Sequence, residues 1–470
     1  MRLFETALVI VNLAAVITSF IPAIKRQRWW VALPILGACL VVAHLAGEGY
    51  RWQMLPHYVL TAALLGLTPA EASSEERALQ YGALGVWVLG TALALVLPVP
   101  QLPEPSGPYN VGTTVYHWTD QDRAEIYGEN PGGPREIMVQ IWYPAGASVD
   151  GQPVPWLLDS GETARAMAQW VGLPPLLIPQ INLTQSHAYP DARVSPRDPP
   201  YPVILYVHGW GGFRSINLDQ LELLASHGYI VASADHTYGA LATVFPDGRV
   251  APNDPNAIPE RDQVGEDAYQ AAIDVLAGTY AADARFVLDQ LTALNEDDPE
   301  RRFTGLLDLE RVGFFGHSTG GGAVMQACHD DPRCIAVLGQ DTWIEPTTDS
   351  VVDLGLDIPA LLIFSDGWGS DNNKALIREF VPNLSEDRYE VVIAETQHYD
   401  FTIVPLLSPL ASLLGLKGPL PSQQVIEVNH EVLLSFFDSY LKGEDAAQVA
   451  ATLEGREVLI VREIRQLTAD

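Results

Sequence analysis

The sequence predicts an α/β protein, a mostly parallel sheet with helices on both faces, preceded by an all-helical apolar unit. Two observations carry this. Beyond about residue 110, runs such as EIMVQIWYP, YPVILYVHG, YIVASADH, RVGFFGHS, CIAVLGQD, PALLIFSD and RYEVVIAET alternate with helical stretches such as 266–294. Nearly unbroken β-branched and aromatic runs mark strands buried on both faces, and intervening helices mark the crossovers that a parallel sheet needs. The first hundred residues instead hold four apolar runs, at 3–22, 29–47, 54–68 and 82–98.

Taken in order, three of those runs have roughly the 17–20 residues that a helix needs to cross a hydrocarbon layer. The run at 54–68 is marginal, because it is short and carries Pro56 and His57 near its start; a re-entrant or interfacial segment is the alternative. Residues 1–99 are therefore expected to form a membrane domain of about four helices. The stretch PVPQLPEPSGPY follows, and its prolines stop any helix and favour an extended tether. A Pro-rich linker is expected over 100–112 and the α/β domain over 113–470. Lys25, Arg26 and Arg28 form the densest basic cluster near the membrane. Basic short loops stay cytoplasmic, so the N-terminus is expected outside. Four spans then put the α/β domain outside the cytoplasm, whereas three put it inside. The expected location is the cell membrane, multi-pass, with an extracytoplasmic α/β domain.

Charge narrows the partners. Acidic residues outnumber basic ones 58 to 27, a net charge of -31. A field of that sign repels polyanions, so nucleic acid is excluded as a partner. The first hundred residues hold six basic and five acidic side chains, so the excess acid lies wholly beyond them. Carboxylates such as Asp262, Glu266 and Asp267 lack His or Cys companions at ligand spacing and read as a solvated face. No metal or organic cofactor is expected.

The chemistry centres on FFGHSTGGG. This stretch lacks the Lys-Ser/Thr of a P-loop and the spacing of a dinucleotide fingerprint. It fits G-x-S-x-G, with Gly316, His317, Ser318, Thr319 and Gly320 following the strand RVGFF and preceding the helix-compatible GGAVMQAC. In that context the turn exposes a serine nucleophile, and small residues two before and two after it relieve collisions in a strained backbone. A serine hydroxyl needs a base, and an acid behind the base, in the order Ser, Asp or Glu, His. Of the histidines after Ser318, His329 comes too early and His430 lies in an amphipathic helix, NHEVLLSFFDSYLKG, as a packing residue. His398, in the loop QHYDF after a strand, is the expected base. Asp341 and Asp366 each follow a strand at the carboxyl edge of the sheet, where open α/β folds build their sites, and order alone does not choose between them.

Several stretches resemble the platelet-activating-factor acetylhydrolase family of serine esterases: REIMVQIWYP, HGWGGFR, ASADHTYGA, ADARFVLDQL, GHSTGG, QDTW and HYDFT, over roughly residues 108–445. The resemblance implies an α/β-hydrolase fold. It also implies that the acid is the Asp of an Asp-x-Trp element, here Asp341 with Trp343, leaving Asp366 a structural or substrate-edge carboxylate. The elbow departs from the family in having Thr319 where an aromatic is usual. GHSTGGG is also similar to the polyester-hydrolase and cutinase branch of the fold, which leaves substrate preference open. One oxyanion donor is expected from the amide of Thr319, next to the nucleophile. The resemblance implies that the other is the amide of Trp210, in HGWGG.

These readings converge on a membrane-anchored serine hydrolase acting on a small ester or phospholipid, with the lipid bilayer as a further partner. A non-catalytic hydrolase-fold membrane receptor is the alternative from another class, and the presence of Ser318, Asp341 and His398 together argues against it. AMAQWVGLPPLLIPQINL and FTIVPLLSPLASLLGLKGPL are apolar yet Pro-rich, as suits loops over an acyl pocket or against lipid. Cys328 and Cys334 are close enough in sequence to bridge a helix end to the next strand.

Overall fold

The computed structural model describes residues 1–25, 27–66, 74–129, 131–159 and 161–466. Arg26 of the basic cluster, the last two residues of the third apolar run and the final four residues lie outside these. The chain divides into two compact units. The first comprises Met1–Gln101 with Pro175–Thr184 and Leu406–Leu410, and the second comprises the remainder.

In the first unit the apolar runs form helices Leu3–Ser19, Ala32–Gly47, Leu55–Gly66 and Ser74–Val96. Two helical stretches, Trp29–Gly47 and Glu75–Val96, are long and apolar enough to cross a membrane. The first run is shorter than the sequence suggests, because its helix ends at Ser19 and Pro22 begins a separate turn. The third is helical over Leu55–Gly66, 12 residues, and this described part spans roughly 18 Å at about 1.5 Å per residue. The fourth is helical from Ser74 on, ahead of residue 82 where the apolar run begins, with Glu75 and Glu76 in its first described turn, where carboxylates favour the helix dipole.

Polar groups of this unit turn inward. Glu5, His44 and Arg51 are buried, with Arg51 bonded to Glu5 at one helix start and to the Ala94 and Leu97 carbonyls at another helix end. Glu48 accepts the amides of Phe4 and Glu5. Large apolar side chains such as Ile10, Ile35, Val42, Val59, Val88 and Leu95 are exposed.

The second unit is built on ten strands of one sheet: β1 Asn110–Ala124, β2 Pro134–Ala145, β3 Ala188–Pro190, β4 Tyr201–Val207, β5 Ile230–Asp235, β8 Leu307–His317, β9 Cys334–Gln340, β10 Ala360–Ser365, β11 Arg388–Ile393 and β12 Leu459–Arg465; β6 Ala242–Val244 and β7 Val250–Pro252 form a separate pair. The order is β12-β11-β10-β9-β8-β4-β5-β2-β1-β3. From β11 to β5 neighbours run parallel, and β2 and β12 pair antiparallel at the two sides. Asn110 pairs with Ala145, so the sheet begins within the last three residues of the stretch read as linker.

The parallel strands are those with unbroken apolar sequence, and every residue of β4, β5 and β10 is buried. Helix Glu266–Glu296 covers one face and Ser422–Lys442 packs against β8 and β9. From β4 the chain proceeds on one side to β5, while β8 lies on the other. The β4–β8 boundary is thus a topological switch point, and a crevice opens outside the carboxyl ends of the two strands there.

Candidate active site

Ser318 sits at that switch point, on the turn between β8 and helix Thr319–Asp330. Its backbone has φ 59 and ψ -120, a strained conformation for a side chain that is not glycine. The close packing behind it explains the glycines. A Cβ on Gly316 would lie 2.3 Å from the Gly320 carbonyl oxygen, and one on Gly320 would lie 2.0 Å from that of Val207. Neither position tolerates a side chain. The Ser318 amide donates to the Gln340 carbonyl and its own carbonyl accepts from Trp343, which ties the elbow to the segment after β9.

That segment carries Asp341, which is fully buried. Its carboxylate accepts the amide and the hydroxyl of Ser365, each at 2.7 Å. His398 Nδ1 lies 2.9 Å from Asp341 Oδ2, so Nδ1 carries the proton and donates it, leaving Nε2 as a free lone pair. Asp366, by contrast, is exposed. Burial pushes the Asp341 carboxyl up to about 7 against the two Ser365 donors. Burial also holds the His398 imidazole down to about 3, so it is neutral, with Nε2 able to accept a proton. Among the described residues Ser318 Oγ makes no direct hydrogen bond to His398; such bonds are often long before substrate arrives.

The imidazole is held by more than the Asp341 carboxylate. Trp368 stacks on it, with ring centres 3.8 Å apart and planes within 3°. His317 lies 4.4 Å away at 31°, and its Nε2 bonds the His398 carbonyl at 3.0 Å, which makes Nε2 the protonated nitrogen of His317. The sequence reading passed over Ser365 and Trp368, and named His317 only as an elbow position. Only the glycines flanking the lone tryptophan in SDGWGS signalled a residue presented at a loop tip.

Opposite the elbow runs the turn after β4. A Cβ on Gly209 would come within 2.9 Å of Ser318 Cβ, so the backbone leading to Trp210 passes close to the serine. Among the described residues, the amides of Trp210 and Thr319 donate to no protein acceptor, leaving both free for an oxygen in the crevice. Below them, His208 Nε2 accepts the His236 amide and His208 Nδ1 donates to the Gly209 carbonyl. His236 Nδ1 in turn bonds Asp283 at 3.0 Å, and Arg135 pairs with Asp283 through two nitrogens at 2.7 Å each. Burial alone would raise Asp283, but Arg135 and His236 outweigh it and hold the carboxyl well below the usual range. His430, read as a packing residue, bonds Asp219 away from the elbow.

Taken together, this geometry offers a serine on a strained turn, a neutral imidazole backed by a buried carboxylate, and two unengaged amides nearby. The family model for platelet-activating factor acetylhydrolase, isoform II, matches residues 96–459. The chain belongs to that family. Relatives include the platelet-activating factor acetylhydrolases of Cavia porcellus, 29% identical over 51% of this chain and 58% of the relative, and of Canis lupus familiaris, 26% identical over 55% and 61%. The chain thus spans about three fifths of the length of these curated relatives. A solved ferulic acid esterase from Streptomyces cinnamoneus superposes with a TM-score of 0.62 at 24% identity, covering 78% of this chain and all of that one. That likeness shows the fold, an α/β architecture shared with an esterase.

Proposed function

We propose that the protein is a membrane-anchored serine esterase that cleaves short-acyl or lipid carboxylic esters. The observation that carries this reading is the 2.9 Å His398–Asp341 pair beside the strained Ser318, in a chain of the acetylhydrolase family.

His398 Nε2 takes the Ser318 proton as Oγ attacks the ester carbonyl. The negative oxygen rests on the amides of Trp210 and Thr319, where loss of one such donor typically costs ~10²–10³ in rate. The imidazolium, steadied by Asp341, passes its proton to the leaving alcohol. Water then enters, gives a proton to His398 and releases the acid from the acyl-enzyme. The same machinery runs both halves.

Anchoring is supported by the two helices of crossing length and by the first unit's inverted pattern, with apolar side chains outward and ionic groups inward. The reading keeps residues 1–99 as a multi-pass membrane domain and 113–470 as the catalytic domain, on the extracytoplasmic side. A disulfide joins Cys328 and Cys334, and such bonds persist in oxidising compartments, which favours that side.

A fluorophosphonate probe tests the chemistry. The proposal expects labelling of the native protein at Ser318 and none in Ser318→Ala. A non-catalytic receptor of the same fold would leave both unlabelled, and that outcome sinks the reading.

A further inference from the structure

Trp368 lies on the loop between β10 and helix Asp371–Asn383, and neither the sequence motifs nor the ester-cleavage reading gives it a role. Gly367 and Gly369 on either side both have φ 86, a conformation that glycine adopts freely and that turns the loop tip back over the crevice. The loop is anchored at both ends. The Ser365 carbonyl accepts the Trp368 amide at 3.4 Å, while the amide and hydroxyl of Ser365 hold Asp341. At the other end Ser370 caps the following helix by accepting the Asn373 amide. The indole is therefore tied, through one serine, to the carboxylate that orients the imidazole beneath it.

Its own hydrogen bonding does not seat the ring, because the indole Nε1 is buried with no acceptor among the described residues. The contact it does make is face to face with His398 at 3.8 Å and 3°. His317 lies 4.4 Å from the ring, tilted by 31°. The imidazole is thus covered on one flat side by the indole, flanked by His317 and bonded at Nδ1, with 24% of the side chain exposed. The titratable groups facing it are Asp341, His317 and, on its own segment, Tyr399 at 5.6 Å. Asp400 next along is engaged with the Gln397 and Gly418 amides, and Asp366 on the tryptophan's loop points to solvent.

We infer that Trp368 is a positioning residue for the base: its indole keeps water off one face of the His398 imidazole and holds the ring in the plane that aims Nε2 at Ser318. This deepens the proposed function and rests on it for its catalytic meaning, although the relationship between the two rings can be measured without catalysis. A cation over an indole face would be attracted to it, so the stack alone would favour imidazolium. Exclusion of water from the ring works the other way, and the low position of His398 agrees with exclusion being the larger effect. Removing the indole should therefore make the imidazole easier to protonate and freer to rotate.

The test uses the full-length protein with isotope-labelled histidine, following His398 by nuclear magnetic resonance against pH, with His398→Gln to assign the signal. The native ring should stay neutral well below the ordinary histidine range, and Trp368→Ala should move its midpoint upward toward about 6.5. Trp368→Phe, which keeps a flat face, should restore most of the native value. An unchanged His398 midpoint in Trp368→Ala, or a Trp368→Phe as shifted as the alanine variant, overturns the inference. If the midpoint moves while the fluorophosphonate labels nothing, the esterase reading fails and the positioning of the ring stands.

Discussion

Asp341 Oδ2 and His398 Nδ1 lie 2.9 Å apart across the ends of two strands, and the same carboxylate holds both donors of Ser365. Asp366, one residue beyond Ser365, is exposed. Side chains alternate along a strand, so once Ser365 turns to Asp341 its successor turns away.

The acid should accordingly be separable by mutation. Asp341→Asn is expected to lower hydrolysis of a short activated ester by ~10² or more, toward the ~10³ or greater loss expected for Ser318→Ala and His398→Ala, because triad members act as a unit. Asp366→Asn should stay within about threefold of native. Steady-state rates on purified variants of equal thermal midpoint decide it, and a larger loss at Asp366 would reverse the assignment.

Much of this was legible in the sequence, and the pattern of what was not is physical. The central strands announce themselves because burial on both faces leaves no room for polar residues. β1 and β12 went unread: β1 mixes Thr, His and Asp with its apolar residues, and β12 carries Arg462, Glu463 and Arg465, as suits strands with a wet side. In the candidate site, the serine, the two candidate acids and the histidine follow from strand ends and chain order. Trp368 and Ser365 do not, since their roles depend on how one loop folds back over another strand's end. The apolar runs of the first unit were visible, but their helix limits were not, because Pro22 and the polar first turn at Ser74 act through local backbone geometry.

Ser365→Ala tests the electrostatics of the pair. In the folded protein burial raises Asp341 and the Ser365 hydroxyl opposes it. Removing the hydroxyl should raise the carboxyl further, so that the pair takes up its proton at higher pH. The acid limb of kcat/KM should move upward by roughly one unit, the equivalent of one hydrogen bond to a charged group. A limb that stays in place, or moves down, contradicts the sign.

Asp283 is expected to contribute to stability. Its folded carboxyl is held below its ordinary value, so its contribution is present above about pH 4 and is lost as pH falls further through the folded value. Asp283→Asn leaves Arg135 and Arg123 short of a buried partner and should cost about 3–5 kcal/mol at neutral pH. Chemical denaturation at neutral pH and at about pH 3 should show the gap between native and variant narrowing in acid. A gap independent of pH would assign the loss to packing.

The side of the membrane is the remaining prediction. Residues 101–106 form no helix or strand, and Gln101, Glu104 and Ser106 are exposed, so a broad-specificity protease has a cutting site between the apolar helices and β1. Placement of the α/β domain outside the cytoplasm rests on the basic residues that follow the first helix and on the Cys328–Cys334 bridge. The described part of the third helix, Leu55–Gly66, does not by itself span the hydrocarbon layer, and with the N-terminus outside this orientation requires an even number of spans. An impermeant protease applied to intact cells should produce a shortened fragment containing Ser318, detected on a denaturing gel by its fluorophosphonate label. Full protection in intact cells, with cleavage only after the membrane is opened, would put the catalytic domain in the cytoplasm and leave the disulfide without the compartment that maintains it.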